Sequence, residues 1–323
     1  MVEPQAALVV VSHTRTRLTR DQEQIIRDDG FFSFLDFRES LETMLCCRLP
    51  ARALRGAQCS TASATIRRSS SAGGSEGAVA SNDDARRCRL LEPPGLVPYK
   101  EAWEWQLQLR AERMACAREK RAPLDDALLL LQHPPVYTLG RGATEDHLRF
   151  DPTDAARLGL ELHRVERGGE VTYHGPGQLV GYPLLDLRRH RQDLHWYVRQ
   201  VEEVVLRTLG RCGVEGAVRD EEHTGVWVGD RKVAAVGIAV SRWVTMHGFS
   251  INVAPDLAAF GHIVPCGIED RGVTSVQQLL DEGGGGGQAV TVETVQALAR
   301  EAMAEVFELD MLPSEDSRPL LVH

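Results

Sequence analysis

The sequence predicts an α+β fold. Short apolar runs of strand length, such as Ala127–Leu131 and Met246–Val253, are mixed with longer stretches of helical periodicity. Their order is not a regular β-α-β repeat. One strand pair, Val226–Val228 and Arg231–Val240, is joined by only Gly229-Asp230, the signature of a tight hairpin. Together these features favour a mixed arrangement over a doubly wound parallel sheet.

The elements follow in order. Residues 1–88 differ in composition from the rest and are expected to form an extension, leaving 89–323 as one globular domain. Residues 45–75 hold five Arg and no Asp or Glu, with many Ser and Ala. That is the composition of an organellar transit peptide, expected to be mitochondrial with plastid as the alternative. A disordered linker also fits the Ser/Gly run, and Met44 offers a second start. Residues 99–119 contain no Gly or Pro and predict a helix whose apolar face carries Tyr99, Trp103, Leu107 and Met114. Ala127–Leu131 predicts a buried strand ended by His133-Pro134-Pro135, and Val136–Leu139 another before Gly140. Leu179–Leu187 predicts a strand and His195–Leu209 a helix. The hairpin and Met246–Val253 come next. Gly283–Gly287 predicts a loop, and Thr291–Phe307 a closing helix with Val295, Leu298, Ala299, Ala302, Met303 and Val306 on one face.

Composition excludes several functions. The formal net charge is −9, and residues 89–323 alone carry 25 basic and 35 acidic side chains. A surface built to neutralise nucleic-acid phosphates should be basic, so no nucleic-acid partner is expected. No uncharged apolar run of about 18 residues occurs, so no membrane span is expected. Seven cysteines without a CxxC pair argue against a disulfide scaffold, a structural zinc or a thioredoxin-like site. His163, His174 and His247 lack close ligand spacing, so no metal is expected either.

Only three lysines occur, Lys100, Lys120 and Lys232, against 34 arginines. A lysine retained in such a chain is a candidate for work that arginine, always charged, cannot do. Lys232 opens an apolar strand, where Lys232, Ala234, Val236 and Ile238 should share one face. Taken alone, a solvent-facing lysine beside the hairpin turn is the simpler reading. Two further segments look unlike scaffold. Arg167–Gln178 (RGGEVTYHGPGQ) crowds hydrogen-bonding side chains among glycines that permit close backbone approach, but has neither dinucleotide nor phosphate-loop spacing. Ile263–Ile268 (IVPCGI) presents Cys266 between Pro265 and Gly267. Cys116 and Cys212 sit in or next to a helix and suit a buried apolar role, and Cys46, Cys47, Cys59 and Cys88 lie in the extension. An ammonium near a thiol favours the thiolate, so a Lys–Cys pair makes a nucleophile for acyl transfer.

With these motifs in hand, the chain resembles the lipoyl(octanoyl) transferases. RGGEVTYHGPGQLVGYPLLDL (167–187) matches that family's signature nearly throughout. HPPVYTLGR (133–141), GDRKVAAVGI (229–238), HGFSINV (247–253) and PCGI (265–268) follow in the family's order. The resemblance implies a mixed-sheet catalytic domain of the biotin/lipoate protein ligase type. It implies transfer of octanoyl from octanoyl-acyl-carrier protein, through a thioester on Cys266, to a lysine of lipoyl domains. Those acceptors are the 2-oxoacid dehydrogenase complexes and the glycine cleavage H protein. Lys232 then lowers the thiol's pKa and moves protons. Arg167, Gly168, Gly169, Glu170, Val171, Thr172, Tyr173 and His174 line the substrate site. Ala235, Val236 and Gly237, with Gly248, Phe249 and Ser250, supply further backbone there, and glycine-segment N–H groups stabilise the oxyanion. No cofactor is needed. The alternative within the fold is an ATP-dependent lipoate or biotin ligase, which activates the acid as an adenylate and needs no Cys. A non-catalytic lipoyl-domain binder should have lost Lys232 or Cys266. An acidic carrier would need a local basic patch on this acidic core, and Arg188-Arg189-His190-Arg191 is the linear candidate, with a solvated loop as the plain alternative.

Overall fold

The computed structural model describes residues 86–264, 271–284 and 289–313. Its helices are α1 (Tyr99–Arg118), α2 (Leu194–Arg211), α3 (Val276–Glu282) and α4 (Val292–Phe307). Its strands begin with β1 (Arg86–Leu91), β2 (Asp126–Leu131), β3 (Val136–Leu139), β4 (Glu161–Arg164), β5 (Val171–His174) and β6 (Gln178–Leu184). They continue with β7 (Ala217–Arg219), β8 (Val226–Val228), β9 (Arg231–Ser241), β10 (Val244–Asn252), β11 (Gly272–Val273) and β12 (Leu309–Pro313).

The large sheet runs β12-β1-β2-β6-β10-β9-β8-β7, with β11 added on β9. β1 pairs in parallel with both β12 and β2, and β11 in parallel with β9; the remaining pairs are antiparallel. A second sheet, β4-β3-β5, stands beside it. This is the predicted α+β architecture with a mixed sheet. Helices α2 and α4 cover one face of the large sheet through Val201, Val204, Val205, Leu209, Val295, Ala299 and Met303. α1 covers part of the other through Trp105 and Leu109. β2 shows why its sequence is an unbroken apolar run: Leu128 and Leu130 enter the α2/α4 core, while Ala127, Leu129 and Leu131 enter the α1 core. Asp193 and Thr291 cap α2 and α4 by accepting from Trp196 N and Thr294 N.

Several expectations need correction. The boundary drawn after residue 88 falls inside β1, an interior strand whose Cys88 and Leu90 belong to the core. Of the face predicted for α1 only Tyr99 is buried, while Trp103, Leu107 and Met114 are half-buried. The buried face is Tyr99, Ala102, Trp105, Gln106, Leu109, Arg110, Arg113 and Cys116. Polar residues enter this face because partners await them. Gln106 Oε1 accepts His247 N at 2.8 Å, and Arg113 donates to the carbonyls of Leu109 and Asp125. On α4, Leu298 and Val306 are only half-buried, and Val292 and Phe307 complete the face. β6 ends at Leu184 because Leu185 N turns to Thr245 Oγ1.

The stretch 188–191 is bound to its own acidic neighbours. Arg188 is bidentate to Asp186 at 2.6 Å, Arg191 meets Asp193 at 2.9 Å, and Arg189 donates to Leu124 O. His190 is buried against Asp126 at 2.8 Å. This is a structural corner rather than an uncommitted basic patch.

Candidate active site

The Gly-rich segment is stitched between the two sheets. Arg167 is 8% exposed, and its guanidinium donates to Thr138 O at 2.7 Å, to Thr138 Oγ1 at 2.9 Å and to Gly168 O at 3.1 Å. Gly168 N donates to Ile238 O at 2.8 Å, joining the segment to β9. A Cβ on Gly237 would lie 3.1 Å from Gly168 O and 3.3 Å from Arg167 Cδ, so a side chain there would press directly on this contact. A Cβ on Gly140 would lie 2.2 Å from Gly169 O. Thus Arg167, Gly168, Gly169, Glu170 and Gly237 are brought together. Glu170 Oε2 faces His147 Nδ1 at 3.0 Å.

The strand β5 then divides its side chains. Val171 and Tyr173 enter an apolar cluster with Tyr137, Leu139, Phe260 and Ile263. Thr172 and His174 alternate to the opposite face. There Tyr99 stacks on His174 with centroids 6.1 Å apart, and on His163 at 5.3 Å. His133 joins the group, its Nδ1–H donating to Val97 O at 2.7 Å and its Nε2 accepting from the Tyr182 hydroxyl at 2.8 Å. Burial lowers the pKa of His133 to about 4 and of His174 to about 3, so both rings are neutral at pH 7. Close by, Trp103 Nε1 donates to Glu166 Oε1 and His247 Nε2 lies 3.8 Å from Glu166 Oε2. Burial opposes the Glu166 charge, but His247 and Arg110 outweigh it and hold the carboxyl at about 2.

A continuous chain of hydrogen bonds leads from His174 to the third lysine. His174 Nδ1–H donates to Gln178 Oε1 at 2.7 Å, and Gln178 Nε2 to Asn252 Oδ1 at 2.8 Å. Asn252 Nδ2 donates to Thr274 O at 3.0 Å, and Thr274 N to Lys232 O at 3.0 Å. Asn252 and Thr274 were not singled out in the sequence, although Asn252 stands inside HGFSINV. β11 is the structural cause of this link. It pairs Val273 with Lys232 on the part of β9 that β10 leaves unpaired.

Lys232 is 6% exposed, not the solvent-facing lysine that its turn position suggested. Nor does it share a face with Ala234, Val236 and Ile238. A register shift sets Trp227 opposite Lys232 and Val226 opposite Ala234, so Val233 is an extra residue in β9. The bulge sends Val233 and Ala234 into the α2/α4 core together and leaves Lys232 and Trp227 on the other face. Lys232 Nζ donates to Thr224 O at 3.2 Å and lies 4.6 Å from the centre of the Trp227 ring.

On the neighbouring strand, Gly248, Phe249 and Ser250 pair with Gly237, Val236 and Ala235. The Phe249 ring enters the α2/α4 core, as Val236 does, so these two offer only backbone to the site side. The N–H groups of Gly168 and Gly177 are already donated, to Ile238 O and Gln132 Oε1, and so do not serve an oxyanion. Cys266 lies outside the described residues. The described chain before it ends at Val264, whose N donates to His147 O, and resumes at Arg271, next to β11. The described thiols are poor nucleophiles. Cys88 and Cys116 are buried, burial raises the Cys88 thiol strongly, and burial raises Cys212 to about 11. Among the described residues no cluster of His, Cys, Asp and Glu is arranged to hold a metal, and no helix is long and apolar enough to cross a membrane.

Residues 99–304 match the lipoyl protein ligase A/B catalytic domain. An octanoyltransferase of Gloeobacter violaceus is 55% identical over 227 residues, which cover 70% of this chain and 93% of the relative. A chloroplastic octanoyltransferase of Arabidopsis thaliana is 47% identical, covering 70% of this chain and 81% of its own. Among solved structures, a lipoate-protein ligase A bound with ATP superposes with a TM-score of 0.54 at 18% identity, over 71% of this chain and 88% of that one. That likeness concerns the fold. With matches of this extent, the chain belongs to the lipoyl protein ligase A/B catalytic domain family and, within it, to the octanoyltransferases, which are acyltransferases.

Proposed function

We propose that the chain carries octanoyl from octanoyl-acyl-carrier protein, through a thioester on Cys266, to the ε-amine of a lysine on lipoyl domains. The Cys266 thiolate attacks the donor's carbonyl carbon. A new C–S bond forms, the carrier's C–S bond breaks, and the carrier leaves as its thiol after taking from Lys232 the proton that the Cys266 thiol gave up on becoming a thiolate. The acceptor amine then attacks the acyl-enzyme. A C–N bond forms, the C–S bond to Cys266 breaks, and the amine's proton passes through Lys232 back to the thiolate. Thioester to thioester is near balanced and thioester to amide is downhill, so the sequence of steps needs no ATP.

The observation that carries this reading is the placement of Lys232. It is a buried lysine whose main-chain carbonyl is tied through Thr274, Asn252 and Gln178 to His174, on the strand paired with β11, which begins six residues after Cys266 in the sequence. The ATP-dependent ligase reading is less well supported, because the ligase likeness is at 18% identity while the octanoyltransferases stand near half. For compartment, the chloroplastic relative supports the plastid rather than the mitochondrion.

Intact mass after mixing with octanoyl-carrier protein, without ATP, tests the proposal. One octanoyl adduct on the wild type and none on Cys266→Ser is the expected result. Cys116→Ser and Cys212→Ser should keep the adduct. Full turnover by Cys266→Ser, or turnover only with ATP and free octanoate, overturns it.

A further inference from the structure

The mechanism places a lysine at the centre of two proton movements, yet lysine is a long chain that gives up rotamer freedom when held in one place. Something must hold it. The partner directly across the β8–β9 pair is Trp227, 2% exposed, whose ring centre lies 4.6 Å from Lys232 Nζ. The same ring carries a second cation, with Arg271 Cζ 5.0 Å from its centre. Two cations on one ring should repel. Asp220 answers that, its Oδ2 accepting from Arg271 Nη1 at 2.6 Å. Asp220 is itself fixed by accepting from Glu222 N at 2.9 Å and His223 N at 2.8 Å through Oδ1.

The same turn clasps the ring and the ammonium. Trp227 Nε1 donates to His223 O at 3.2 Å, and Lys232 Nζ donates to Thr224 O. Beneath it, the fully buried Glu202 of α2 accepts from Gly225 N at 3.0 Å. Gly225 has φ +127, and a Cβ there would meet Ala234 O at 2.7 Å and Lys232 Cε at 3.4 Å, so only glycine lets the turn close over the lysine.

We propose that Trp227 is a positioning residue for Lys232. Its indole face, with the Thr224 carbonyl, confines the ammonium to one spot, and Arg271, five residues after Cys266 in the sequence, rests on the same ring. The inference rests on the proton-transfer reading of Lys232 given above, and its first readout does not depend on activity.

The chain's three lysines make that readout simple. Limited acetylation followed by peptide mass mapping gives the labelling of Lys232 relative to the exposed Lys100 and Lys120. In Trp227→Leu, Lys232 labelling should rise severalfold against both references. The kcat for octanoyl transfer should fall about tenfold while KM for the octanoyl donor stays within about twofold, the scale of losing one partly desolvated cation–π contact. Trp227→Phe keeps a ring face but loses the bond to His223 O, and should retain kcat within about threefold with near wild-type labelling. Unchanged labelling in Trp227→Leu overturns the proposal. So does a Trp227→Phe variant as damaged as Trp227→Leu, which would assign the role to the His223 bond. Raised labelling with unchanged kcat leaves the cradle standing and removes Lys232 from proton transfer.

Discussion

Acid should unfold this protein through two histidines before its carboxylates titrate. His133 and His174 are buried with pKa values near 4 and 3, against 6.5 for an exposed histidine. The sign follows from proton counting. Above pH 6.5 both states hold these rings neutral. As pH falls below 6.5 the unfolded chain takes up protons that the folded one refuses, so stability drops continuously down to about pH 4. Between pH 7 and 5 each ring should cost about 2 kcal/mol, or about 4 kcal/mol together. That is a large part of the 5–15 kcal/mol typical of a folded domain. Equilibrium urea unfolding at fixed ionic strength measures it, followed by tryptophan fluorescence, since all five tryptophans lie in the described fold. His174→Asn should remove about half of the pH dependence, whatever it does to stability at pH 7. A wild-type loss below about 1 kcal/mol over this range, or an undiminished slope in both His133→Asn and His174→Asn, refutes the reasoning.

Three other outcomes follow. Gly140→Ala puts a methyl 2.2 Å from Gly169 O and should displace the Arg167–Gly169 turn, raising KM for the octanoyl donor and costing about 1–3 kcal/mol of stability; wild-type kinetics would mean the turn is not part of the site. Changing Arg188, Arg189 and Arg191 together to Ala should lower the unfolding midpoint and slow transfer equally from carrier-bound and small octanoyl thioesters, because these side chains hold Asp186, Leu124 O and Asp193; a defect confined to the carrier-bound donor would restore them as a docking patch. Residues 44–85 fused to a fluorescent reporter should deliver it to plastids in plant cells; mitochondrial or cytosolic fluorescence rejects that compartment.

Much of the fold was legible because both faces of the large sheet are covered. A strand buried on two sides must be continuously apolar, and Ala127–Leu131 announced itself that way. α4 was nearly as plain, its stripe gaining Val292 and Phe307 while Leu298 and Val306 lie at its half-buried margin. α1 was misread because Gln106, Arg110 and Arg113 turn inward, and a polar residue with a waiting partner is invisible to a hydrophobicity pattern. β1 was missed for a related reason. Arg87 and Arg89 alternate with Cys88 and Leu90, a strand signal concealed by the arginine-rich stretch before it. In the site, Lys232 stood out by scarcity, but its face could not be foreseen, since one extra residue in β9 reverses the alternation. Asn252, Thr274 and Trp227 carry no signal of their own. They matter through pairings between residues 22 or more positions apart in three cases out of four, and a single sequence does not announce register.

The place of β1 has a bearing on maturation. It lies between β12 and β2, hydrogen-bonded on both edges, with Arg86 in register with Leu309. A processing protease that cut even a few residues beyond Arg86 would remove an interior strand, exposing the backbone of β2 and cutting β12 adrift. On the transit-peptide proposal, cleavage therefore stops short of Arg86. The composition, which suggests a leader running to residue 88, and the folded domain, which claims residues 86–88, together confine the permissible cut to the sequence before that arginine.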